Sequence, residues 1–474
     1  MKSNITLLLS VLFLSLGQSQ QTYQDYFTSE ALRIDFFQIG DQHTISVIAD
    51  EFFREDQWGG NPHNLLDTLN LGHYLLQVYQ IPTNLLIYSY GYSTLFEEWQ
   101  TTSEAATGAQ KIIGGSVRIP FPRHRIRIEF LKRDNQNIFS EKVGSFLVDP
   151  ESVDIRKEKR ASGVTTVEIQ RMGDPSSHVD LLILAEGYTA AESEKFSGDA
   201  RRLIESFFQV EPFKKQRELF NITAVLKPSL QSGIDDPTNN IYVNTPMNFS
   251  FNMFGSQRYL MTYDYKNLND IASAFPFDAL AVLVNTDIYG GGGVYNLYTC
   301  SSVDNRWSSN IFVHEMGHSF GGLGDEYYSS DVAYTDYYSK EVEPWEPNLT
   351  TLLDPSRLKW KQLVSPGTSI PTPWQKKEYD EENSRYSEKL IQLRAKDTEA
   401  EVKKFRKKHQ DKIIEFFENH PCKNKVGAFE GAGYASEGIY RPALDCIMFS
   451  NRGLKFDPVC AAAIEKRIHF LTAQ

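Results

Sequence analysis

Short runs of alternating apolar and polar residues dominate the chain from residue 20 to residue 150. An alternation of period two places side chains on the two faces of a β-strand, and the Gly, Pro, Asn and Asp residues between runs are typical of turns. The pattern predicts strands at residues 32–37, 44–48, 74–80, 84–90, 115–119, 125–131 and 143–148. We therefore expect residues 20–150 to form an all-β sandwich that serves as an accessory or substrate-positioning domain.

The pattern changes after a charged stretch at residues 151–164, which indicates an interdomain linker or the solvated extension of a strand. Beyond it, nearly continuous apolar runs suited to buried strands alternate with helical patterns. The predicted strands lie at 178–185, 222–226 and 280–285, and the predicted helices at 189–210 and near 268–274. Residues 165–474 are therefore expected to form an α/β domain.

Four consecutive glycines at residues 290–293 precede another apolar run. They lack the Lys-Ser/Thr pair and the helix start of a phosphate-binding loop, so we interpret them as a flexible loop leading into an edge strand. Such a strand either holds an extended peptide by backbone hydrogen bonds or has a purely structural role.

Residues 376–419 are dense in Lys, Glu, Arg and Asp, with apolar residues at broadly helical intervals. The pattern predicts a charged helical insertion, such as a hairpin, within the α/β domain. Its charged surface is either a solvated face or a binding site for a partner.

The net charge argues against some classes of binding partner, and the N-terminal segment indicates the cellular location. The formal net charge of −12 argues against nucleic acid or an anionic membrane as a general partner. Residues 1–19 combine Lys2, a short apolar run and small residues near a cleavage position, which is typical of a secretory signal. No cysteine lies at that position and no later apolar run is long enough to span a membrane. We expect a secreted or periplasmic protein without a membrane anchor.

All four cysteines, Cys300, Cys422, Cys446 and Cys460, lie in the C-terminal half of the chain. In an oxidising compartment an even number allows up to two disulfides, and these spacings fit no zinc-ribbon pattern. We expect Cys446 to pair with Cys460, and free buried thiols are the alternative.

The strongest chemical signal is the sequence His-Glu-Met-Gly-His at residues 314–318. His314 and His318 lie one helical turn apart, so both imidazoles can bind one metal ion while Glu315 lies beside them. A catalytic zinc takes three protein ligands and keeps a fourth position for water, which Glu315 can deprotonate. The alternative is an amphipathic helix with two solvated or hydrogen-bonded histidines.

The residues after His318 indicate where a third ligand lies. Three glycines within residues 321–324 end the helix and allow the backbone to turn sharply beneath it. That turn can return Asp325 to the metal, with Glu326 as the competitor, because zinc accepts carboxylate oxygens. Met448, in a glycine-rich C-terminal stretch, is either an apolar floor under the histidines or an ordinary core residue.

Three motifs, HEMGHSFGGLGDEY at 314–327, GAFEGAGY at 427–434 and YRPALDCIM at 440–448, resemble those of the bacterial immunoglobulin A peptidase family of zinc metallopeptidases. The resemblance covers essentially the whole mature chain, including a β domain before the peptidase domain. It implies an α/β zincin-like fold of the metzincin type, with Gly321 at the metzincin glycine position and residues 446–448 as the methionine turn. Metzincins carry their third ligand where this chain has Gly324, so the ligand must shift to Asp325. No tyrosine stands two residues after Met448, which leaves Tyr440 as a candidate to stabilise the oxyanion.

These patterns predict a secreted zinc endopeptidase that hydrolyses a protein or glycoprotein substrate, with immunoglobulin among the candidates. One Zn²⁺ is expected on His314, His318 and Asp325, with Glu315 as general base and Tyr440 as a further catalytic residue. Two alternatives stay open. One is a non-proteolytic metallohydrolase such as an amidase, and the other is a glycan- or protein-binding module with a vestigial metal site.

Overall fold

The computed structural model describes residues 22–328, 337–395 and 398–473. The predicted signal sequence, residues 1–19, lies outside the described residues. Among the helices of these three ranges, none combines the length and the hydropathy that a membrane crossing requires.

Two four-stranded sheets form a β-rich N-terminal domain, with strand orders β5-β1-β2-β8 and β4-β3-β6-β7. The strands are β1 Phe27–Gly40, β2 Ile45–Glu55, β3 Tyr74–Gln80, β4 Leu85–Tyr92, β5 Lys111–Pro122, β6 Ile126–Arg133, β7 Phe139–Val148 and β8 Ile155–Arg156; the helices are α1 Tyr23–Tyr26, α2 Leu95–Gln100 and α3 Ser103–Ala106. Ile34 and Phe36 of β1 share one hydrophobic core with Leu76 and Val78 of β3, because alternate residues of a strand point to the same face. The predicted β-rich domain is confirmed, and β8 lies within the predicted linker, where it pairs with β2.

The C-terminal domain is built on a six-stranded mixed sheet with the order β13-β14-β12-β10-β11-β9. Its strands are β9 Thr165–Gln170, β10 Val179–Glu186, β11 Phe220–Leu226, β12 Ala279–Val284, β13 Gly291–Val294 and β14 Tyr298–Ser302; the helices against it include α4 Ser193–Phe207, α5 Tyr265–Ala272 and α6 Ser308–Ser319. Every residue of β10 is buried, since Leu181 and Ile183 pack in the core with α4 and α6 while Leu182 and Leu184 pack in the core with α5. Burial on both faces explains why its sequence is continuously apolar.

The glycine run forms the edge strand β13 itself rather than a loop that precedes it. A side chain at Gly293 would lie 2.3 Å from the carbonyl oxygen of Glu315, so only glycine lets β13 approach helix α6 this closely. The predicted edge strand is confirmed. Tyr259 forms a β-bridge with Gly291 of β13. The following residues of β13, Gly292, Gly293 and Val294, line the cleft.

The predicted charged insertion is a helical hairpin made of α7 Lys376–Arg394 and α8 Glu399–Glu418. Its buried residues, Val402, Ile413 and Phe417, all lie on α8, and the rest of the hairpin is largely solvated. After the hairpin come β15 Phe429–Ala432, β16 Ala435–Arg441 and α9 Pro458–Thr472.

The N-terminal domain packs firmly against the C-terminal domain. Arg33 of β1 forms an ion pair of 2.7 Å with Asp270 on α5, and Arg118 of β5 donates to the side chain of Asn269 at 2.7 Å. Phe96 and Trp99 of α2 belong to the same core as α5. This contact places residues of the N-terminal domain beside the cleft described next.

Candidate metal centre

Helix α6 carries the His-Glu-Met-Gly-His motif. Phe312, Val313 and Met316 anchor it in the core beneath the sheet. His314 and His318 line a cleft of about 350 Å³, and their Nε2 atoms lie 3.1 Å apart. The structure therefore brings the two imidazoles together as the four-residue spacing predicts.

Each imidazole is held by a backbone carbonyl. Nδ1 of His314 lies 2.9 Å from the carbonyl oxygen of Ile447, and Nδ1 of His318 lies 2.6 Å from that of Leu323. A carbonyl oxygen can only accept a hydrogen bond, so each Nδ1 carries the proton and donates it. In the neutral rings both Nε2 lone pairs are left free to bind a cation, which is the usual arrangement of histidine ligands.

The glycine-rich turn returns Asp325 to the histidines. Helix α6 ends as the amide of Leu323 donates to the carbonyl of Gly317, and Gly322 adopts a φ of +64° that favours glycine. Oδ1 of Asp325 then lies 3.1 Å from Nε2 of His314 and 3.3 Å from Nε2 of His318. This buried oxygen has no hydrogen-bond partner among the described residues.

Glu326 turns away from this cluster. Its carboxylate accepts a hydrogen bond of 3.0 Å from the side-chain amide of Asn348, and its backbone amide donates to the carbonyl of Met448 at 2.8 Å. Of the two carboxylates that the sequence left open, the structure therefore places Asp325 with the histidines. Glu315 lies beside them, with a carboxylate oxygen within 4.8 Å of a ring nitrogen of each histidine.

The cluster favours positive charge at its centre. Burial alone would lower the pKa of His318, but the adjacent Asp325 carboxylate raises it to about 9. Burial would raise the pKa of Asp325, yet the two histidines hold it well below its ordinary value. Burial also raises the pKa of Glu315.

Met448 packs directly beneath the metal-site helix. The tight turn around it is closed by the amide of Phe449, which donates to the carbonyl of Cys446 at 3.0 Å. A Cβ atom on Gly317 would lie 2.7 Å from the sulfur of Met448 and 3.1 Å from the ring of Phe456. The turn therefore contacts the motif helix in two places. Met448 packs against Gly317, and the carbonyl of Ile447 accepts a hydrogen bond from His314.

We expect Gly317→Ala to have a free energy of unfolding about 1–3 kcal/mol lower than that of Gly198→Ala, because its added methyl group overpacks the fully buried Met448. Gly198→Ala is the matched control, since Gly198 also lies within a helix and its added methyl group meets no atom within 4 Å. The control should stabilise by up to about 1 kcal/mol through helix propensity. Urea titrations of both variants check the difference, and equal shifts would contradict the contact.

The cleft walls combine aromatic, acidic and basic side chains from both domains. The N-terminal domain contributes His73, whose ring lies 3.3 Å from the carboxylate of Glu97. The C-terminal domain contributes Arg258 and a group of tyrosines, namely Tyr289, Tyr327, Tyr337, Tyr338 and Tyr434. The packing of the two domains brings His73 into the cleft.

The structure places Tyr440, the predicted further catalytic residue, outside the cleft. Tyr440 lies in β16, where it pairs with Thr350 and its hydroxyl is 3.5 Å from Glu430, and it is not among the cleft-lining residues. Tyr434 occupies the cleft instead, and its hydroxyl donates to Oδ2 of Asp325 at 2.5 Å. The motif GAFEGAGY that ends at Tyr434 was the available signal for this residue.

The structure agrees with the alternative to the predicted Cys446–Cys460 disulfide, which was a pair of free buried thiols. The structure brings the two sulfur atoms to 3.8 Å, but all four cysteines are free thiols. Both side chains of the pair face the buried carboxylates of Glu326 and Asp457.

Two family profiles match this architecture. The profile described as IgA Peptidase M64 matches residues 167–468, and the profile described as Peptidase M64 N-terminus matches residues 22–143. No curated protein was found to be similar to the chain. The first match spans the sheet, the motif helix and the methionine turn of the C-terminal domain, and the second spans the β-rich domain. The chain therefore belongs to the IgA Peptidase M64 family of peptidases.

Proposed function

We propose that this peptidase is a zinc-dependent endopeptidase whose C-terminal domain has a metzincin-type fold. The observation that carries the proposal is the triangle formed by Nε2 of His314, Nε2 of His318 and Oδ1 of Asp325, with sides of 3.1–3.3 Å. Ligands at 2.0–2.1 Å in a tetrahedral zinc site lie about 3.3 Å from one another. The residues therefore fit Zn²⁺, and the turn at Met448 beneath the helix supports the metzincin assignment.

The three residues would hold the ion, which when bound lowers the pKa of a water molecule and polarises the scissile carbonyl. Glu315 lies next to both histidines and acts as the general base. It takes a proton from the attacking water and delivers it to the nitrogen of the leaving amine as the peptide bond breaks. Burial supports this role because it raises the pKa of Glu315.

The cleft suits an extended polypeptide. Gly292, Gly293 and Val294 of the edge strand line it, and the backbone of such a strand pairs with an extended chain by hydrogen bonds. Its tyrosines offer apolar and hydrogen-bonding surface to substrate side chains. We therefore propose that the substrate is a protein or glycoprotein, and the family description suggests immunoglobulin as a candidate. Residues 1–19 would direct the enzyme to the periplasm or the medium.

Chelation tests the proposal. We expect 1,10-phenanthroline to abolish cleavage of casein, and added Zn²⁺ to restore it, because water activation depends on the ion. Metal content is measured by mass spectrometry on the same samples. Cleavage that persists after the metal content has fallen to zero would overturn the proposal, while hydrolysis of a cell-wall peptide amide without casein cleavage would favour the amidase alternative.

We further infer that Tyr434 is a positioning residue, because its hydroxyl fixes the carboxylate of Asp325. Loss of such a hydrogen bond typically costs 10–100-fold in metal affinity, so we expect Tyr434→Phe to weaken zinc binding by about that factor. Activity should recover when zinc is in excess. Tyr440→Phe is the control and should change neither quantity, because Tyr440 lies outside the cleft.

Competition with a chromophoric chelator measures the zinc affinity of both tyrosine variants. Equal zinc affinities in wild type and Tyr434→Phe would show that Tyr434 does not position Asp325 for zinc binding. A loss of affinity in Tyr440→Phe but not in Tyr434→Phe would instead restore the role predicted for Tyr440.

A further inference from the structure

Four side chains that the peptidase chemistry does not use meet beneath the methionine turn: Glu326, Cys446, Asp457 and Cys460. All four are buried, none with more than 3% of its surface exposed. One ligand atom from each lies within 4.8 Å of those from the others. Two thiols and two carboxylates are the types of side chain that bind a divalent transition metal.

Each carboxylate in this cluster keeps one oxygen without a hydrogen-bond partner among the described residues. In Glu326, Oε1 accepts from Asn348 at 3.0 Å and from the thiol of Cys460 at 3.2 Å, while Oε2 has none. In Asp457, Oδ1 caps helix α9 by accepting the amides of Val459 and Cys460, while Oδ2 has none. An unpaired buried carboxylate oxygen is costly, so these atoms call for a cation or a proton.

The spacing of the two sulfur atoms matches that of two ligands on one cation. Zinc binds thiolate at about 2.3 Å, and two sulfur ligands of a tetrahedral ion therefore lie about 3.8 Å apart. The separation of Cys446 Sγ and Cys460 Sγ is 3.8 Å. The backbone amide of Asp457 also points at Cys446 Sγ from 3.4 Å, a contact that stabilises a thiolate.

A buried arginine near Glu326 does not replace such an ion. Arg441 is buried close to Glu326, but its guanidinium donates to the backbone carbonyls of Gly431 and Leu444. Two carboxylates and two thiolates would carry four negative charges, and a divalent cation neutralises half of that charge at the point where the four groups meet.

We propose that Glu326, Cys446, Asp457 and Cys460 form a second, structural metal site that binds Zn²⁺ in a tetrahedral S₂O₂ arrangement. Binding releases the two thiol protons to solvent and leaves no ligand position for water or substrate. The ion connects the segment that carries Asp325, the methionine turn and the first turn of α9. It therefore holds the Ile447 carbonyl, and with it His314, in place.

Cobalt substitution tests this site independently of activity. Metal-depleted wild type, kept reduced with a phosphine, is reloaded with Co²⁺ and its absorption spectrum is recorded. We expect two equivalents to bind, and a thiolate-to-cobalt charge-transfer band to appear in the near ultraviolet. The site on His314, His318 and Asp325 contains no sulfur, so it cannot produce this band. A His318→Ala variant should therefore keep the band although it loses one equivalent.

Cysteine variants locate the band. Cys446→Ser and Cys460→Ser should each remove it together with one equivalent of metal, and Cys422→Ser, a half-buried thiol outside the cluster, should change neither. The wild-type spectrum decides the matter even where a serine variant fails to fold. A single bound equivalent without a thiolate band would overturn the proposal. So would a disulfide between Cys446 and Cys460, found by peptide mapping of protein purified without reductant.

Discussion

Glu315→Gln is expected to reduce the rate of peptide cleavage by about 10²–10⁴-fold, the range that a general base contributes. Glutamine keeps the size of the side chain but cannot accept a proton from the attacking water. The histidines and Asp325 keep their contacts in this variant, so its zinc content should equal that of the wild type. A fluorogenic peptide assay together with metal analysis measures both quantities.

Glu465→Gln is a control for the general effect of removing a carboxylate from a helix, because Glu465 lies on α9 and is not among the residues that line the cleft. It should cleave at the wild-type rate. An unchanged rate in Glu315→Gln would exclude Glu315 as the base, and a rate lost together with the metal would show a structural role instead.

Asp325→Asn is expected to weaken zinc binding by more than the roughly 10–100-fold that loss of an outer hydrogen bond costs, because it removes the proposed third ligand. Asparagine preserves the shape and can still accept the Tyr434 hydroxyl bond, but its neutral amide replaces the negative charge that attracts the cation. Cleavage should fall in proportion to the zinc that is lost. Isothermal titration with Zn²⁺ after metal removal measures the affinity.

Asp445→Asn is the matched control for this change. Asp445 lies beside the methionine turn and forms an ion pair of 2.7 Å with Arg452, outside the cleft. We expect its affinity for zinc to be that of the wild type. If Asp325→Asn retained full affinity, the third ligand would have to be another residue.

The histidine pair was predictable because its geometry is local. A spacing of four residues on a helix brings two side chains to one face whatever the rest of the fold does. The choice between Asp325 and Glu326 was not, because adjacent residues of a non-helical segment point in different directions and the sequence does not show which of them faces the helix. The structure brings Asp325 to the histidines through the turn at Gly322, while Asn348 binds Glu326 away from them.

The contact between Tyr434 and Asp325 could not be predicted from the sequence. Tyr434 lies 109 positions along the chain from Asp325, in the turn between β15 and β16, with a φ of +63°. No periodicity connects the two residues, and only the packing of that hairpin against the glycine turn brings them together. The amide of Gly433 donates to the carbonyl of Asp325 at 2.9 Å, which fixes this contact.

The structural role of the glycine run could not be predicted from the sequence either. Residues 290–293 suggested flexibility because glycine lacks a side chain, whereas here the missing side chains permit close packing of β13 on α6. Missing side chains allow either a flexible loop or close packing of two elements. Helix α6, which decides between the two here, is not adjacent to the glycines in the sequence. Cys446 and Cys460 lie close to each other, as the disulfide prediction expects, but they are free thiols that face two carboxylates.

A catalytic zinc ion on helix α6 is tested by measuring zinc content and casein cleavage on the same preparations of wild type, Glu315→Gln and His318→Ala. We expect Glu315→Gln to retain as much zinc as the wild type and to cleave casein about 10²–10⁴-fold more slowly. We expect His318→Ala to contain one zinc ion fewer per chain and to be inactive. Cleavage by Glu315→Gln at the wild-type rate, or an unchanged zinc content in His318→Ala, would contradict a catalytic zinc on helix α6.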